Sequence, residues 1–251
     1  MLSDEPCPIC GAGAPAHDVV DFGRCCEPAR SLYPPLTGEA IYYHLCPGCG
    51  FCFAPAMHRW SRETFAAKVY NDEYKLVDPD YAETRPRGNA DLLARMFPDF
   101  GARRHLDFGG GNGLLSRCLA ARGWNSASYD PFVDGGIDPE SQGRFDLISA
   151  FEVLEHATDV RATMREMTGR LAEDGLLLVS TLLSDGHLAR RERLTWWYAA
   201  PRNGHVSLLS RQSLALLAQD FGLAASSASE DLHAFAPRPP PSWARHLFEP
   251  A

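Results

Sequence analysis

The segment His105-Leu-Asp-Phe-Gly-Gly-Gly-Asn-Gly-Leu-Leu-Ser116 joins a short apolar run, an acid and a glycine-rich turn to the start of an amphipathic helix. A strand that turns sharply into a helix needs residues that tolerate positive φ angles and leave the backbone bare for a ligand. Gly109, Gly111 and Gly113 meet that requirement. The segment therefore predicts a strand that leads into a nucleotide-binding loop.

The glycine spacing distinguishes between two kinds of nucleotide-binding loop. The dinucleotide fingerprint G-x-G-x-x-G would need a third glycine where Leu114 stands, which disfavours a nicotinamide or flavin cofactor. The pattern Asp107-x-Gly109-x-Gly111-x-Gly113 instead resembles the first motif of the class I S-adenosylmethionine-dependent methyltransferases. In that family an acid precedes three alternating glycines.

Two later segments extend this resemblance in the order that the family has. Asn125 to Tyr129 predicts a second strand with Asp130 at its carboxyl end, where doubly wound sheets place an acid against ribose hydroxyls. Arg144-Phe-Asp-Leu-Ile-Ser-Ala-Phe-Glu-Val-Leu-Glu-His156 is similar to the fourth motif, a buried strand that ends in a Glu-Val-Leu-Glu-His turn. The resemblance implies an α/β fold with a Rossmann-like, doubly wound and mostly parallel sheet.

The resemblance also implies which residues hold S-adenosylmethionine. Asp107 would hold the amino end of the cofactor beside the glycines, and Asp130 would take the ribose diol. Phe132 would flank the adenine, while Phe151 and Glu152 would line the floor near the sulfur. The whole implied set is Asp107, Gly109, Gly111, Gly113, Asp130, Phe132, Phe151 and Glu152.

The amino-terminal cysteines predict a metal site. Cys7-Pro-Ile-Cys10-Gly and Cys46-Pro-Gly-Cys49-Gly are two C-x-x-C knuckles, and in a chain without a secretory signal such pairs favour metal ligation over disulfides. Four thiolates complete a closed tetrahedral Zn²⁺ site with no open position, so we expect a structural role. Buried free thiols are the alternative.

The rest of the chain predicts a four-part organisation. A helix is expected over Thr158 to Leu171, a strand over Leu176 to Thr181, a helix over Ser210 to Asp220 and a closing antiparallel hairpin over Leu223 to Phe235. The proline-rich end is expected to be a loosely attached tail. The predicted parts are a zinc-binding domain at 1–55, a helical lid or linker at 56–103, the S-adenosylmethionine-binding domain at 104–236 and the tail at 237–251.

Composition limits the classes of partner. The 251 residues carry a net charge of −8 with scattered arginines, which disfavours nucleic acid because phosphate-backbone binding rests on clustered Lys and Arg. No run approaches the ~20 apolar residues of a membrane span, and the first residues lack a signal-peptide pattern. We therefore expect a cytoplasmic protein with a small-molecule or carbohydrate acceptor; the oligomeric state is left open.

Two further segments resemble one branch of the methyltransferases. The first ~55 residues are similar in layout to the zinc-binding domain of bacterial sugar C-methyltransferases. Those enzymes carry a His-Glu-His-Phe-Ser stretch whose last histidine helps to deprotonate the substrate, and His205 matches that last position, after Asn203 and Gly204. The chain thus resembles a shortened relative of that branch.

His205 and His156 are the two candidate catalytic bases. An unperturbed pKa near ~6.5 suits a histidine for accepting a proton, whereas a hydrogen-bonded structural histidine is the alternative for each. Glu152 and Glu155 are alternatively expected to cap the helix that follows. C-methylation beside a ketone needs a base and an enolate stabiliser, whereas O-methylation needs one base and alignment, so we favour O-methylation of a sugar, sugar nucleotide, glycan or natural-product hydroxyl.

The long segment from Leu182 to Ser210 is expected to face the substrate, because loops of this length are usually functional or disordered and its tryptophans argue against disorder. A sugar would stack on Trp196 or Trp197, with an anionic group on Arg193 or Arg202. The alternatives to an O-methyltransferase are a C-methyltransferase of a keto-deoxysugar, a cofactor-free partner-binding zinc protein, and a methyltransferase of RNA or protein.

Overall fold

The computed structural model describes residues 3–27, 30, 32–133 and 143–249. The chain divides into two compact units, each built from several segments. Unit 1 comprises residues 1–79, 154–162 and 182–217, and unit 2 comprises residues 80–153, 163–181 and 218–251. Among the described residues, no helix combines the length and the apolar character needed to cross a membrane.

Unit 2 holds a six-stranded sheet. Its strands, in spatial order, are β11 (Ala224–Ser227), β12 (Leu232–Ala236), β9 (Leu171–Ser180), β8 (Phe145–Phe151), β6 (Arg104–Phe108) and β7 (Asn125–Tyr129). The four strands from β9 to β7 are parallel, while β12 and β11 close the edge as an antiparallel hairpin. This arrangement is the predicted doubly wound, mostly parallel sheet.

Helices connect these strands as the apolar periodicity predicts. Helix α4 (Thr84–Met96) precedes β6, and α5 (Leu114–Ala120) connects β6 to β7. Helix α6 (Val160–Arg170) runs into β9, and α7 (Arg211–Asp220) precedes the hairpin. The sequence-based bounds of these helices differ by a few residues, because frayed ends leave the exact termini poorly defined.

The carboxyl-terminal tail does not behave as expected. Residues Ser242–Leu247 form a 3₁₀ helix in which Ala244 and Leu247 are buried. The Trp243 ring packs edge-on against Phe97 and Phe100, with centroids 5.4 and 5.8 Å apart. The prediction of a loosely attached tail is therefore wrong, because its apolar side chains are part of the core of unit 2.

Unit 1 contains a two-stranded sheet of β1 (Glu5–Pro6) and β2 (Gly13–Ala14) and a four-stranded antiparallel sheet. The strands of the larger sheet, in spatial order, are β10 (Ser207–Leu208), β5 (Cys52–Phe53), β4 (Ala40–Leu45) and β3 (Ala16–Asp21). The segment between the two knuckles supplies β3 and β4, and β10 comes from about 150 residues later in the chain. The helices that follow β5 are α1 (Pro55–His58), α2 (Arg62–Lys68) and α3 (Tyr74–Val77).

The core of unit 1 is rich in aromatic side chains. Phe65 and Tyr74 are buried, and the Tyr70 ring packs edge-on against Tyr74 at 5.1 Å. Ser61 caps α2, since its side chain accepts a hydrogen bond from the Thr64 amide. Tyr70 and Tyr74 thus have packing roles within this unit.

Candidate cofactor and acceptor sites

The glycine-rich turn after β6 packs tightly within unit 2. The amides of Gly109 and Gly110 both donate to the Tyr129 carbonyl, at 2.8 and 3.1 Å. Gly109 has φ +75°, and a Cβ there would lie 2.6 Å from Val153 Cγ2. Only glycine satisfies both the backbone angle and the close approach at this position.

Gly110 is a site residue that the sequence analysis missed. A Cβ at this position would clash with Ser128 Oγ and with the Asp107 carboxylate. The alternation of glycines drew attention to positions 109, 111 and 113, while the middle residue is the one that contacts the acid. A signal existed in the uninterrupted Gly-Gly-Gly run.

Asp107 ends β6 as a buried acid with an unused oxygen. The side chain is 3% exposed, and its Oδ1 accepts a 3.5 Å hydrogen bond from Ser149. Within the described part of the chain, neither Asp107 Oδ2 nor the neighbouring Ser128 Oγ has a hydrogen-bond partner. Burial raises the pKa of Asp107 to about 7, the Ser149 hydrogen bond opposes that rise, and the charge of Asp130 adds to it.

Gly111 and Asp130 form the outer part of the loop. The Gly111 amide donates to Asp130 Oδ2 at 2.9 Å, and the Phe132 amide donates to Oδ1 at 2.8 Å. Gly111 has φ +53°, and no heavy atom of the described residues lies within 4 Å of a Cβ built there. The carboxylate is thereby fixed in orientation while it keeps lone pairs for further donors.

The remaining cofactor candidates lie just before α5, after β7 and at the end of β8. Gly113 has φ +72° and begins α5, and the Phe132 ring is 40% exposed. Phe151 packs partly buried against the core at the end of β8. Glu152 follows with φ +55°, which is rare for a residue with a side chain, and its carboxylate pairs with Arg85.

Both candidate bases lie in unit 1, and the fold brings them together. The His156 and His205 rings are 4.8 Å apart between centroids, in an edge-to-face arrangement. His205 is 7% exposed, its Nδ1 lies 2.8 Å from the Tyr198 carbonyl oxygen, and its own carbonyl accepts the Tyr43 hydroxyl at 2.6 Å. A carbonyl can only accept, so Nδ1 carries the proton and Nε2 carries the lone pair when the ring is neutral.

The expected helix-capping role of the glutamates is wrong. The amide of Ala162 in α6 donates to Asp159 Oδ1 at 2.9 Å, so Asp159 is the capping residue. Glu155 is fully buried within the 3₁₀ turn Leu154–His156, and its carboxylate accepts the Tyr198 hydroxyl. Tyr198 was not recognised from the sequence because nothing in its loop marks it as a partner of the acid.

Arg193 and Arg202 of this loop bond to other residues of unit 1. Arg193 pairs with Asp18 at 2.8 Å, and Arg202 is buried and donates to the Val69 carbonyl at 2.9 Å. Trp196 is 5% exposed, whereas Trp197 is 46% exposed. Trp196 and Arg202 are therefore buried within unit 1 and do not offer the expected contacts with a sugar and its anionic group, whereas the Arg193 side chain is 80% exposed.

The four knuckle cysteines converge as predicted. Cys7 and Cys49 Sγ atoms are 3.6 Å apart, Cys10 and Cys46 Sγ atoms are 3.3 Å apart, and all four lie within 4.8 Å of one another. Tetrahedral Zn–S bonds of about 2.3 Å place sulfurs about 3.8 Å apart, so the cluster fits such an ion. Each knuckle also closes with an amide of the following glycine, Gly11 or Gly50, donating to the first cysteine carbonyl at 2.9 Å.

The chain matches known proteins in the region that carries this sheet. A family model described as a methyltransferase domain matches residues 81–228, well over half of the chain. Two ubiquinone biosynthesis O-methyltransferases are similar: that of Marinobacter nauticus is 30% identical, covering 32% of this chain and 44% of that protein. That of a Bradyrhizobium species is 35% identical, covering 37% and 36%. The chain thus spans less than half the length of these curated relatives.

Among solved structures, the plantazolicin methyltransferase BpumL in complex with SAH is similar in fold, with a TM-score of 0.52 at 10% identity, covering 73% of this chain and 96% of that one. This likeness concerns the fold alone. Together, the parallel sheet, the glycine-rich turn after β6 and the family match show that the chain belongs to the methyltransferase-domain family and has its class I α/β fold.

Proposed function

We propose that this protein is an S-adenosylmethionine-dependent methyltransferase that methylates a hydroxyl group of a small molecule. The observation that carries the proposal is the buried Asp107 carboxylate, whose Oδ2 has no hydrogen-bond partner in the described chain and borders the glycine-rich turn. A buried acceptor without a partner costs free energy unless a ligand satisfies it. The ammonium group of an amino acid portion would supply that donor.

The donor site is proposed to be the region around the turn in unit 2. Asp107 would hold the amino group, the bare backbone at Gly109, Gly111 and Gly113 would admit the methionine portion, and Asp130 would accept the ribose hydroxyls. Phe132 would cover the adenine, and Phe151 with Glu152 would lie near the sulfur. S-adenosylmethionine, when bound, supplies a methyl group that is already activated by its sulfonium charge.

The protein's own contribution would be orientation and a proton acceptor. His205 Nε2 carries the lone pair because Nδ1 lies against the Tyr198 carbonyl at 2.8 Å, so this ring is held in the form that a general base needs. His156, with its ring centroid 4.8 Å away, is the second candidate. The acceptor hydroxyl would lose its proton to this pair as the oxygen attacks.

O-methylation is favoured by the relatives, which are named O-methyltransferases. We infer that the acceptor is a sugar, sugar nucleotide, glycan or other natural product with a free hydroxyl, and that the exposed Trp197 ring is the surface against which its ring would stack. The four-cysteine cluster is proposed to hold a structural Zn²⁺, because its fourfold thiolate set leaves no position for substrate. We place the protein in the cytoplasm.

Calorimetric titration with S-adenosylmethionine and S-adenosylhomocysteine tests the donor site. We expect saturable binding that Asp130→Asn weakens at least about tenfold, since the variant loses the charge that two ribose hydroxyls would meet. Asp174→Asn is the matched control, because Asp174 is an exposed acid of the same unit. Absence of binding to folded protein, or equal binding by both variants, would refute the donor site.

A further inference from the structure

Three side chains that can bind a metal ion meet in unit 1, separately from the four cysteines. Glu155, His156 and His205 each offer one ligand atom, and these three atoms lie within 4.8 Å of one another. The first two are consecutive in a 3₁₀ turn, and the third comes from a loop almost fifty residues later. The proposed function uses a histidine of this cluster only as a base and gives Glu155 no role.

One residue orients two of these side chains. Tyr198 donates its hydroxyl hydrogen to Glu155 Oε1, and its backbone carbonyl lies 2.8 Å from His205 Nδ1. The Cys26 sulfur also lies 3.6 Å from that Nδ1. An imidazole whose one nitrogen is bonded to a carbonyl presents its other nitrogen as a ligand, and ligating carboxylates are themselves hydrogen-bonded in metal sites.

Backbone hydrogen bonds hold the two segments together. The Val206 amide donates to the Glu155 carbonyl at 2.8 Å, and the Ser207 hydroxyl donates to the Ala157 carbonyl at 2.7 Å. Gly204 has φ +89°, and a Cβ there would lie 3.0 Å from His156 Nδ1. The turn and the loop are therefore packed too closely for the ligand set to open without breaking these bonds.

The burial of the acid favours a cation in this cluster. Glu155 is 0% exposed, so ionising its carboxylate here costs hydration that a directly coordinated cation restores. Two imidazoles and one carboxylate form the ligand set of catalytic zinc sites and of facial-triad iron sites. Bonds of about 2.0–2.2 Å would require the ligand atoms to move inward by about 1–2 Å when the ion binds.

We propose that Glu155, His156 and His205 bind a divalent transition-metal ion such as Zn²⁺, Mn²⁺ or Fe²⁺. Three protein ligands leave a position open for an oxygen ligand. Resting on the proposed function, that ligand is the acceptor oxygen; the bound ion would make its hydroxyl more acidic so that the proton leaves to solvent water, and the two imidazoles would act as ligands in place of their role as bases.

The test is a titration of the full-length protein with Co²⁺ alone, without cofactor or acceptor. The protein keeps the metal of its four cysteines and is dialysed to remove weakly held ions. We expect one further equivalent of Co²⁺ with an absorption spectrum that lacks the thiolate charge-transfer band. His205→Ala and Glu155→Gln should weaken this binding by more than about tenfold, and Tyr198→Phe by about tenfold, because it removes the hydroxyl that orients Glu155.

His187→Ala is the matched control, because this ring stacks on Trp196 in the same unit and lies outside the cluster. It should bind Co²⁺ as the unchanged protein does. No extra equivalent, or binding that His205→Ala and Tyr198→Phe leave unchanged, would overturn the proposal. Because no cofactor is present, failure of Co²⁺ binding and failure of S-adenosylmethionine binding are separate results.

Discussion

The backbone of Gly110 lies directly against the carboxylate of Asp107, so that a side chain at position 110 would occupy the space of Asp107 Oδ2. The same missing Cβ leaves room for Ser128 Oγ. Asp107 cannot move away easily, since it is buried at the end of a central strand and bonded to Ser149. The absence of a side chain at position 110 therefore leaves the space that Asp107 Oδ2, the oxygen without a partner in the described chain, occupies.

Gly110→Ala tests this relationship. The added methyl group must displace the acid or the turn, so we expect binding of S-adenosylmethionine to weaken at least about tenfold and the free energy of unfolding to fall by about 1–3 kcal/mol. Calorimetry and urea unfolding measure the two effects.

Gly88→Ala is the control, because Gly88 lies inside α4 with no described atom within 4 Å of a Cβ. Alanine in a helix interior should raise stability by about 0.5–1 kcal/mol without changing cofactor binding. Unchanged binding by Gly110→Ala would contradict the placement of the cofactor beside Asp107.

The raised pKa of Asp107 predicts a dependence of stability on pH. Burial raises this pKa from 3.8 to about 7, so between these values the folded protein holds a proton that the unfolded chain has released. The free energy of unfolding therefore falls as pH rises through that window. Asp107→Asn removes this contribution, and between pH 5 and 8 the variant should lose less stability than the unchanged protein, by a few kcal/mol.

Urea unfolding of cofactor-free protein at several pH values measures this difference, and the contributions of other acids cancel in the comparison. Parallel stability curves for the two proteins would show that Asp107 is ionised throughout. If Asp107 receives the ammonium group of the cofactor, the affinity for S-adenosylmethionine should also weaken as pH falls below about 7, because the protonated acid accepts poorly.

The parallel sheet could be predicted because its information is local. β7 has the predicted bounds, and β6 and β8 follow short apolar runs that end at an acid or a glycine-rich turn. A strand that is buried on both faces needs a continuous apolar run, and a strand-to-helix turn needs glycine. Both requirements are visible in windows of a few residues.

The acceptor side could not be predicted to the same depth, because its contacts join distant segments. Ser207–Leu208 pairs with Cys52–Phe53 as the edge of a sheet, and two residues have no periodicity that could reveal such pairing. Tyr198 bonds to both Glu155 and His205, yet no spacing in the sequence marks these three as neighbours. The turn motif predicted His156 as a candidate base, but the environment of Glu155 depends on the loop that folds against it.

The four-cysteine cluster predicts a loss of one metal equivalent on single substitution. Cys10→Ser should abolish tight Zn²⁺ binding at this cluster and lower the free energy of unfolding by several kcal/mol, because metal binding contributes directly to the stability of such small sites. Cys118→Ser is the control, since that thiol lies outside the cluster. Elemental analysis and thermal unfolding measure both effects, and retained zinc in Cys10→Ser would contradict the ligand assignment.

Substituting the two adjacent tryptophans should affect stability to different degrees. Trp196 is 5% exposed and stacks on the His187 ring at 4.9 Å, so Trp196→Ala should lower the free energy of unfolding by about 3–5 kcal/mol. Trp197 is 46% exposed, so Trp197→Ala should leave stability within about 1 kcal/mol.

If Trp197 stacks on the acceptor, its loss should raise the acceptor KM by about three- to tenfold and leave the affinity for S-adenosylmethionine unchanged. Thermal unfolding, steady-state kinetics and calorimetry separate these effects. An unchanged KM in Trp197→Ala would remove the ring from the acceptor site, and Trp197→Phe should recover most of the affinity only if stacking is the interaction, because it restores an aromatic face without the indole N–H.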